Sequence, residues 1–488
     1  MKRLKHGDEI KTIEVLERIF KNNWEKNLII IPEGRCLSYG DFFQEAFVYA
    51  CVLREEFGIE SNQIISLLLP NSVEVLIIYM AALIAEIQVA PIDHLIGERE
   101  LLVLLGQIKP QYLITTKILP SDINVISLQD IKTKVGQFQN TASDISILKN
   151  IESSKPFLIT FTSGSTGVPK GVIHSFDNLF KAAYAFGLPF NLTNEHRFYH
   201  NLPMSYMAGI LNLFVMPLVW GCQIAIGKRF SVEHSLNFWE TVQALKVNVF
   251  WFIPTVIALL LKMDRSLVPI RVPNALGFVG TAPLNAVQKD AFEKKYDIPL
   301  FESYGLSELL FIATNNPLSN TAGSVGKLLP GVESMCASDG ELLVRVPWTF
   351  LGYWNLSYAS YFEDGFYKTG DIATLRDDLL FITDRKKDLI IRGGINISPK
   401  AIENLLHELG ILDEFVVIGM PDEILGEKIT CFFVKRSILS GQEKKNIIEY
   451  VIKALGSSYR IDEFIHLESL PKNNNGKLDK IRIKNASV

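Results

Sequence analysis

Between Phe161 and Gly171 the chain reads FTSGSTGVPKG, a composition suited to holding an anion. Gly164, Gly167 and Gly171 can adopt positive φ and turn consecutive backbone N–H groups inward as an anion nest. Thr162, Ser163, Ser165 and Thr166 add hydroxyl donors, and Lys170 adds a full positive charge. The spacing is not G-x-x-x-x-G-K-[ST], which excludes a Walker phosphate loop. The apolar run PFLITF in front of it predicts a strand feeding the loop. Taken alone, the same cluster also suits a polar linker between two strands.

Three further stretches carry chemistry. In ESYGLSE, from Glu302, a tyrosine ring able to cover the face of a base stands near a carboxylate, Glu308, suited to a hard cation such as magnesium. Tyr304 on its own would equally be a core aromatic. In YKTGD, Asp371 follows a glycine turn, where a carboxylate can accept from two vicinal hydroxyls. In NNNGKLDK, Lys477 sits on a polar, glycine-containing turn. A compact ammonium on a flexible stem can bridge two anionic groups as charge develops between them. By composition alone that tail is solvated surface.

These residues need a scaffold, and a chain of 488 residues exceeds one ordinary core, so two or three domains are expected. With 48% hydrophobic and 21% charged residues it reads as globular. A net charge of -4 supplies no global positive field for nucleic acid or anionic lipid, so any anion site must be local. The five cysteines show no C-x-x-C pairing, which favours buried reduced thiols in a cytosolic protein over zinc or a redox dithiol. The N-terminus, MKRLKHGDEIKTIEVL, lacks an apolar signal core, so a cytoplasmic location is expected. VEVLIIYMAALIA, from Val73, is well short of the roughly 20 apolar residues that span a bilayer and predicts a buried helix; no transmembrane segment is expected.

Apolar runs bounded by turn residues alternate with helical-period stretches, as in QIISLLLP, the helix after Asn71 and IQVAPID. That alternation predicts α/β layers with largely parallel strands. The texture changes after FITDRKKDLIIRGG, where a charged turn and paired glycines precede a helix starting near Pro399. The division drawn from this is a large N-terminal multi-layer α/β domain over 1–386 and a small mobile C-terminal α+β domain over 387–488.

The phosphate loop resembles that of the adenylate-forming (AMP-binding) superfamily, which includes acyl-CoA synthetases, peptide-synthetase adenylation domains and luciferases. Further segments follow in the family's order: GTAPL from Gly280, ESYGLSE, FYKTGDIA with TDRKKDLIIRGG, and LPKNNNGKLDK from Leu470. Five motifs in order over nearly the whole chain make the match specific. The resemblance implies that nucleotide is held by the loop residues Thr162 to Gly167 and Lys170, by Gly280, Thr281, Ala282 and Pro283, and by Ser303, Tyr304, Gly305, Asp371 and Arg385. It implies Tyr304 on adenine, Ser307 on the α-phosphate, Glu308 recruiting magnesium, Asp371 and Arg385 on the ribose, Lys387 as the interdomain hinge and Lys477 as the catalytic lysine. Lys386 and Asp388 are read as solvated surface.

Two departures from the family stand out. Its segment LP-x-x-H-x-x-G appears here as LPMSYMAG, with Tyr206 in place of histidine, and SSYRIDEF lacks the proline often found after the basic residue. The implied reaction is ATP-dependent, magnesium-assisted activation of a small-molecule carboxylate as an acyl-adenylate, followed by thioester formation. The stretch IIRGGINISPKAIE resembles the acyl-CoA synthetases more than the amino-acid domains, so coenzyme A is the expected acceptor. Its thiol tunnel would pass Tyr206, Gly393 and Gly394. The alternatives are the phosphopantetheine of a free-standing acyl carrier protein and, in another class, a degenerate nucleotide-binding protein. No aspartate stands near YMAGIL to pair with a substrate amine, and an unpaired buried ammonium costs several kcal/mol. An apolar aliphatic or aromatic acid is therefore expected, in a pocket of Tyr206, Ala208, Gly209, Phe252, Phe278 and Gly280.

Overall fold

A computed structural model of the protein describes residues 11–32, 34, 36–118, 123–138, 144–162, 169–264, 271–435, 438–472 and 478–485. The apolar run Ile64–Leu68 is a strand lying parallel to Gln88–Pro91 and to Tyr112–Thr115. Pro156–Thr162 adds to this sheet and pairs antiparallel with Lys170–Ser175, so the anion-loop sequence connects two adjacent strands. Gly352–Tyr353 completes the edge of a seven-stranded sheet by pairing with Val172 and Ile173.

A second sheet of nine strands has a parallel centre containing Arg197–His200, Val249–Phe252, Leu276–Val279 and Leu300–Leu306. Helices fill the space between the two sheets. Val73–Ile84 is buried at every position but Glu74, the all-round apolar pattern of an interior helix. Tyr39–Glu55 starts on a capping box, in which Ser38 and Asp41 satisfy each other's backbone N–H groups. One apolar cluster joins Leu158 and Val172 of the first sheet, Ile224 and Val249 of the second, and the helices between. No helix among the described residues is long and apolar enough to cross a membrane.

A five-stranded antiparallel sheet follows, built on the hairpin of Phe366–Arg376 with Leu379–Arg385. The last sheet, centred on Glu414–Asp422 and Gly426–Val434, packs Pro399–Leu409 and Gly441–Leu455 around its own core of Ile397, Ile402, Val417, Cys431 and Val451. The architecture is thus a large mixed α/β N-terminal domain and a smaller C-terminal one, and its α/β layering is the one the alternation of elements predicts.

The hairpin of Leu300–Leu306 with Leu310–Thr314 presents the ESYGLSE residues and is bulged between Tyr304 and Gly305. At Gly305 a side chain is excluded, because an added Cβ would lie 2.1 Å from the Leu310 carbonyl oxygen. Gly305→Ala is therefore expected to cost about 1–3 kcal/mol through overpacking. Urea unfolding measures this; an unchanged midpoint would mean the hairpin relaxes freely.

Candidate active site

One cavity of about 940 Å³ lies where the two large sheets meet the five-stranded sheet. Its wall takes Thr162 and Lys170 from either side of the anion loop, Gly280 and Thr281 from the end of Leu276–Val279, and Ser303 to Glu308 from the bulged hairpin. Gly370, Arg385, Lys386 and Lys387 close it from the five-stranded sheet and the turn behind it.

Asp371 is 2% exposed and is held from two sides. The Tyr304 hydroxyl donates to its Oδ2 at 2.5 Å, and Arg385 Nε lies 2.6 Å from its Oδ1. Burial pushes the Asp371 carboxyl above its usual range, and Arg385 and the tyrosine hydroxyl counter only part of that. The same burial, with the Asp371 charge beside it, raises the Tyr304 phenol well above its ordinary value and keeps it protonated as a donor. An ionised carboxylate has about four lone-pair directions, so both oxygens retain capacity for a further donor.

A second network links the anion loop to Glu308. The Lys170 ammonium lies 2.5 Å from the Tyr361 hydroxyl and packs over the rings of Tyr361 and Tyr353 at 4.9 and 5.5 Å. The Tyr353 hydroxyl donates to Glu308 Oε1 at 2.6 Å and lies 2.9 Å from the Tyr367 hydroxyl. Strand register makes this possible. Tyr353 pairs with Val172, two residues beyond Lys170, and Tyr367 lies on the adjoining sheet. Burial first, then the Glu308 charge, raises both phenols, so they act as donors.

The turn carrying Ser307 and Glu308 is anchored from behind. His174, fully buried, lies with Nε2 2.6 Å from the Ser307 carbonyl oxygen, and the Phe350 N–H donates to the Glu308 carbonyl at 2.9 Å. A carbonyl can only accept, so Nε2 carries the proton. Burial depresses the His174 pKa to about 4, leaving the ring neutral.

No group of three or more His, Cys, Asp or Glu is assembled to hold a metal among the described residues. Glu308 faces the same cavity as Lys170, and the other carboxylate on its wall, Glu341, is already paired with Lys386. That donor set fits magnesium, which is usually bound by one or two carboxylates together with substrate phosphates and water.

The other sequence expectations fall as follows. Ser163, Gly164, Ser165, Thr166, Gly167 and Lys477 lie outside the described residues. Tyr206 and Ala208 are on the cavity wall; Ala282 and Pro283 are exposed and are not. Gly209 lies behind the wall, where a Cβ would meet the Pro203 carbonyl oxygen at 2.0 Å. Phe252 is turned away, into a cluster with Phe250 and Phe292, because successive strand residues face opposite sides of the sheet. Its neighbour Trp251 takes the wall position. Phe278 packs behind Trp251, with ring centroids 5.3 Å apart. Gly393 and Gly394 are exposed at φ 57° and 81°, away from the cavity lining. Lys386 is no free surface charge: it is paired with Asp339 at 2.6 Å and Glu341 at 2.7 Å, while Asp388 pairs with Lys480 at 2.8 Å. Tyr353, Tyr361 and His174 carry no motif signal of their own, and Tyr367, though the first residue of YKTGD, has no role that the motif assigns; the strand pairing reveals them.

The model of the AMP-binding enzyme family matches residues 17–354, and that of the AMP-binding enzyme C-terminal domain matches 401–477. The chain belongs to the AMP-binding enzyme family. Within that adenylate-forming superfamily it is acyl-CoA synthetase-like. It is 30% identical over 345 residues to the 2-succinylbenzoate–CoA ligase of Listeria monocytogenes, covering 69% of this chain and 72% of that one. Its fold is that of ATP-bound MatB from Rhodopseudomonas palustris, with a TM-score of 0.85 at 23% identity over 97% of this chain and 98% of that one. The o-succinylbenzoate CoA synthetase (MenE) of Bacillus subtilis, in complex with the acyl-adenylate intermediate OSB-AMP, superposes with a TM-score of 0.81 at 23% identity, covering 96% and 97% of the two chains.

Two buried histidines give this AMP-binding enzyme a specific pH response. His174 and His200 both titrate near 4 when folded, against 6.5 as the ordinary value, because burial disfavours the imidazolium. The unfolded chain binds the extra protons between those values, so stability is fully present above about pH 6.5 and falls as pH drops toward 4. Each ring contributes roughly 2 kcal/mol of that loss between about pH 7 and about pH 5. His174→Gln is expected to flatten the dependence by about that amount in urea unfolding. Parallel wild-type and variant curves would place a charged or solvated imidazole at His174.

Proposed function

We propose that the cavity activates a carboxylic acid with MgATP and transfers the acyl group to the thiol of coenzyme A. The observation that carries this reading is the convergence on one cavity of a phosphate-side cation, Lys170, a carboxylate, Glu308, and the Tyr304 and Arg385 side chains that hold the buried carboxylate of Asp371.

In this reading Asp371 accepts from the ribose hydroxyls, Tyr304 covers the adenine, and Lys170 with the loop before it holds the phosphates. Glu308 with the triphosphate would hold magnesium, which supplies charge neutralisation when bound. A carboxylate oxygen of the acid attacks the α-phosphorus, and the bond to the departing pyrophosphate breaks. Catalysis of this half is positioning and electrostatic stabilisation. Lys477 is assigned to bridge the attacking carboxylate and the α-phosphate. In the second half the thiol sulfur attacks the acyl carbon and gives up its proton, and AMP leaves with the carbon–oxygen electron pair. The division of the chain at 386/387, with Lys387 as hinge, lets the C-terminal domain withdraw Lys477 and bring Gly393 and Gly394 toward the thiol path. The acid has an uncharged tail, because Asp93, the carboxylate that acts most strongly on Tyr206 with Glu100 a weaker second, is already occupied by Arg229.

Coenzyme A is preferred over carrier-bound phosphopantetheine on the sequence RGGIN and on the likeness to CoA ligases. The purified protein, ATP and a panel of acids are offered coenzyme A or a phosphopantetheinylated carrier protein. Acyl-CoA is the expected product; acylated carrier without acyl-CoA would overturn the acceptor and leave the first half standing. Lys477→Ala should slow acyl-adenylate formation by at least about a hundredfold, while thioester formation from supplied acyl-adenylate survives. Equal damage to both halves would contradict the role given to Lys477.

A further inference from the structure

The part of the cavity away from the nucleotide groups is lined by Tyr206, Met207, Ala208, Leu211 and Asn212, facing Trp251, Ile253 and Val256. Most of this wall is apolar; its polar groups are the amides of Asn201 and Asn212, the Tyr206 hydroxyl and the Trp251 indole N–H, and Asn212 is the amide on the wide-turn segment beside Met207 and Leu211. Its side chain belongs to a residue only 6% exposed and makes no hydrogen bond among the described residues. The segment Ala208–Val215 winds with i to i+5 bonding, closed by Met216 N–H to the Leu211 carbonyl. A turn of that width sets Met207 and Asn212 one above the other on the cavity side. The amide is not sealed off but opens on the cavity, so a ligand that displaces water there must satisfy it or lose about 1–3 kcal/mol.

The charge around it narrows that group. Among the described lining residues from Asn201 to Val256, Arg229 is the one charged side chain. It is already engaged by Asp93 through two bonds, Nη1 to Oδ1 at 2.7 Å and Nη2 to Oδ2 at 3.0 Å. Burial works against the Asp93 charge, but the arginine outweighs it and holds the carboxyl below its usual range, so the pair is ionised and neutral in sum. A second carboxylate on the substrate would meet no free cation here. A neutral amide matches a group that both donates and accepts, or accepts alone, without charge.

From this geometry we infer that the acyl substrate carries a neutral hydrogen-bonding group, a hydroxyl or keto oxygen, on an otherwise apolar frame, and that Asn212 selects it. This deepens the acid-activating function proposed above and rests on it. It also replaces the wholly apolar acid expected from the sequence.

The test compares acids that share one aryl or alkyl frame and differ only in a distal hydroxyl or keto group, a methyl, or a second carboxylate, at each ring and chain position. Acid-dependent exchange of pyrophosphate into ATP gives kcat/KM for wild type, Asn212→Leu, Asn212→Ala and Asn201→Leu. A hydroxy or keto acid is expected to exceed its methyl and carboxylate counterparts by at least about tenfold in wild type, and its advantage over methyl to fall to within about twofold in both Asn212 variants. A methyl or dicarboxylic acid at the head of the wild-type ranking overturns the inference, whether or not the variants fold. So does a preference that survives at position 212 or is lost in Asn201→Leu alone. Exchange without any polar preference overturns this inference only; no exchange with any acid overturns it together with the function on which it rests.

Discussion

The site is organised around a carboxylate in an unfavourable place. Asp371 is almost fully buried, and its desolvation is only partly offset by Arg385 and the Tyr304 hydroxyl. Taking a charge out of water costs several kcal/mol even after relaxation, and a buried pair is weak evidence for stability. A fold selected for stability alone would do better with an apolar residue here. Keeping the carboxylate makes sense if a ligand's hydroxyls complete its hydrogen bonding, which puts the cost on the unliganded protein and the return on the complex.

That carboxylate also fixes what surrounds it. Tyr304 comes from the nine-stranded sheet, Asp371 and Arg385 from paired positions on the five-stranded one, so the contact ties two sheets across the cavity. A parallel tie runs between Lys170 and Glu308 through Tyr361, Tyr353 and Tyr367. Cation and carboxylate are each kept in contact with phenols rather than with one another. This leaves a positive and a negative pole facing one space, the arrangement that a phosphate chain with a divalent cation requires. Lys386, tied to Asp339 and Glu341, holds the turn just before the hinge candidate Lys387.

How much of this the sequence disclosed depends on whether a contact is local. The α/β layering was legible because a buried helix such as Val73–Ile84 and strands such as Ile64–Leu68 declare themselves by length and period. Lys170, Glu308 and Asp371 were legible because each lies in a short motif whose spacing sets its local turn. Tyr353 and Tyr361 were not, since their approach to Lys170 is created by a two-residue strand at a sheet edge, over 180 residues away in sequence. Phe252 failed as a wall residue for a simpler reason. Strand alternation is strict, and choosing between Trp251 and Phe252 requires knowing which face of the sheet meets the cavity. Asn212 is concealed in an apolar stretch whose wide turn no spacing rule would have assigned.

On the function proposed above, the Asp371 charge is retained for nucleotide and costs the fold stability. Calorimetric titration of ATP into Asp371→Asn, set beside the urea-unfolding midpoint of the same protein, tests it most directly. The expected result is nucleotide affinity lowered by at least about tenfold, the equivalent of roughly 1.4 kcal/mol, with a midpoint equal to or above that of wild type. A variant that binds ATP as wild type does but unfolds more readily would contradict the claim and make Asp371 a structural residue.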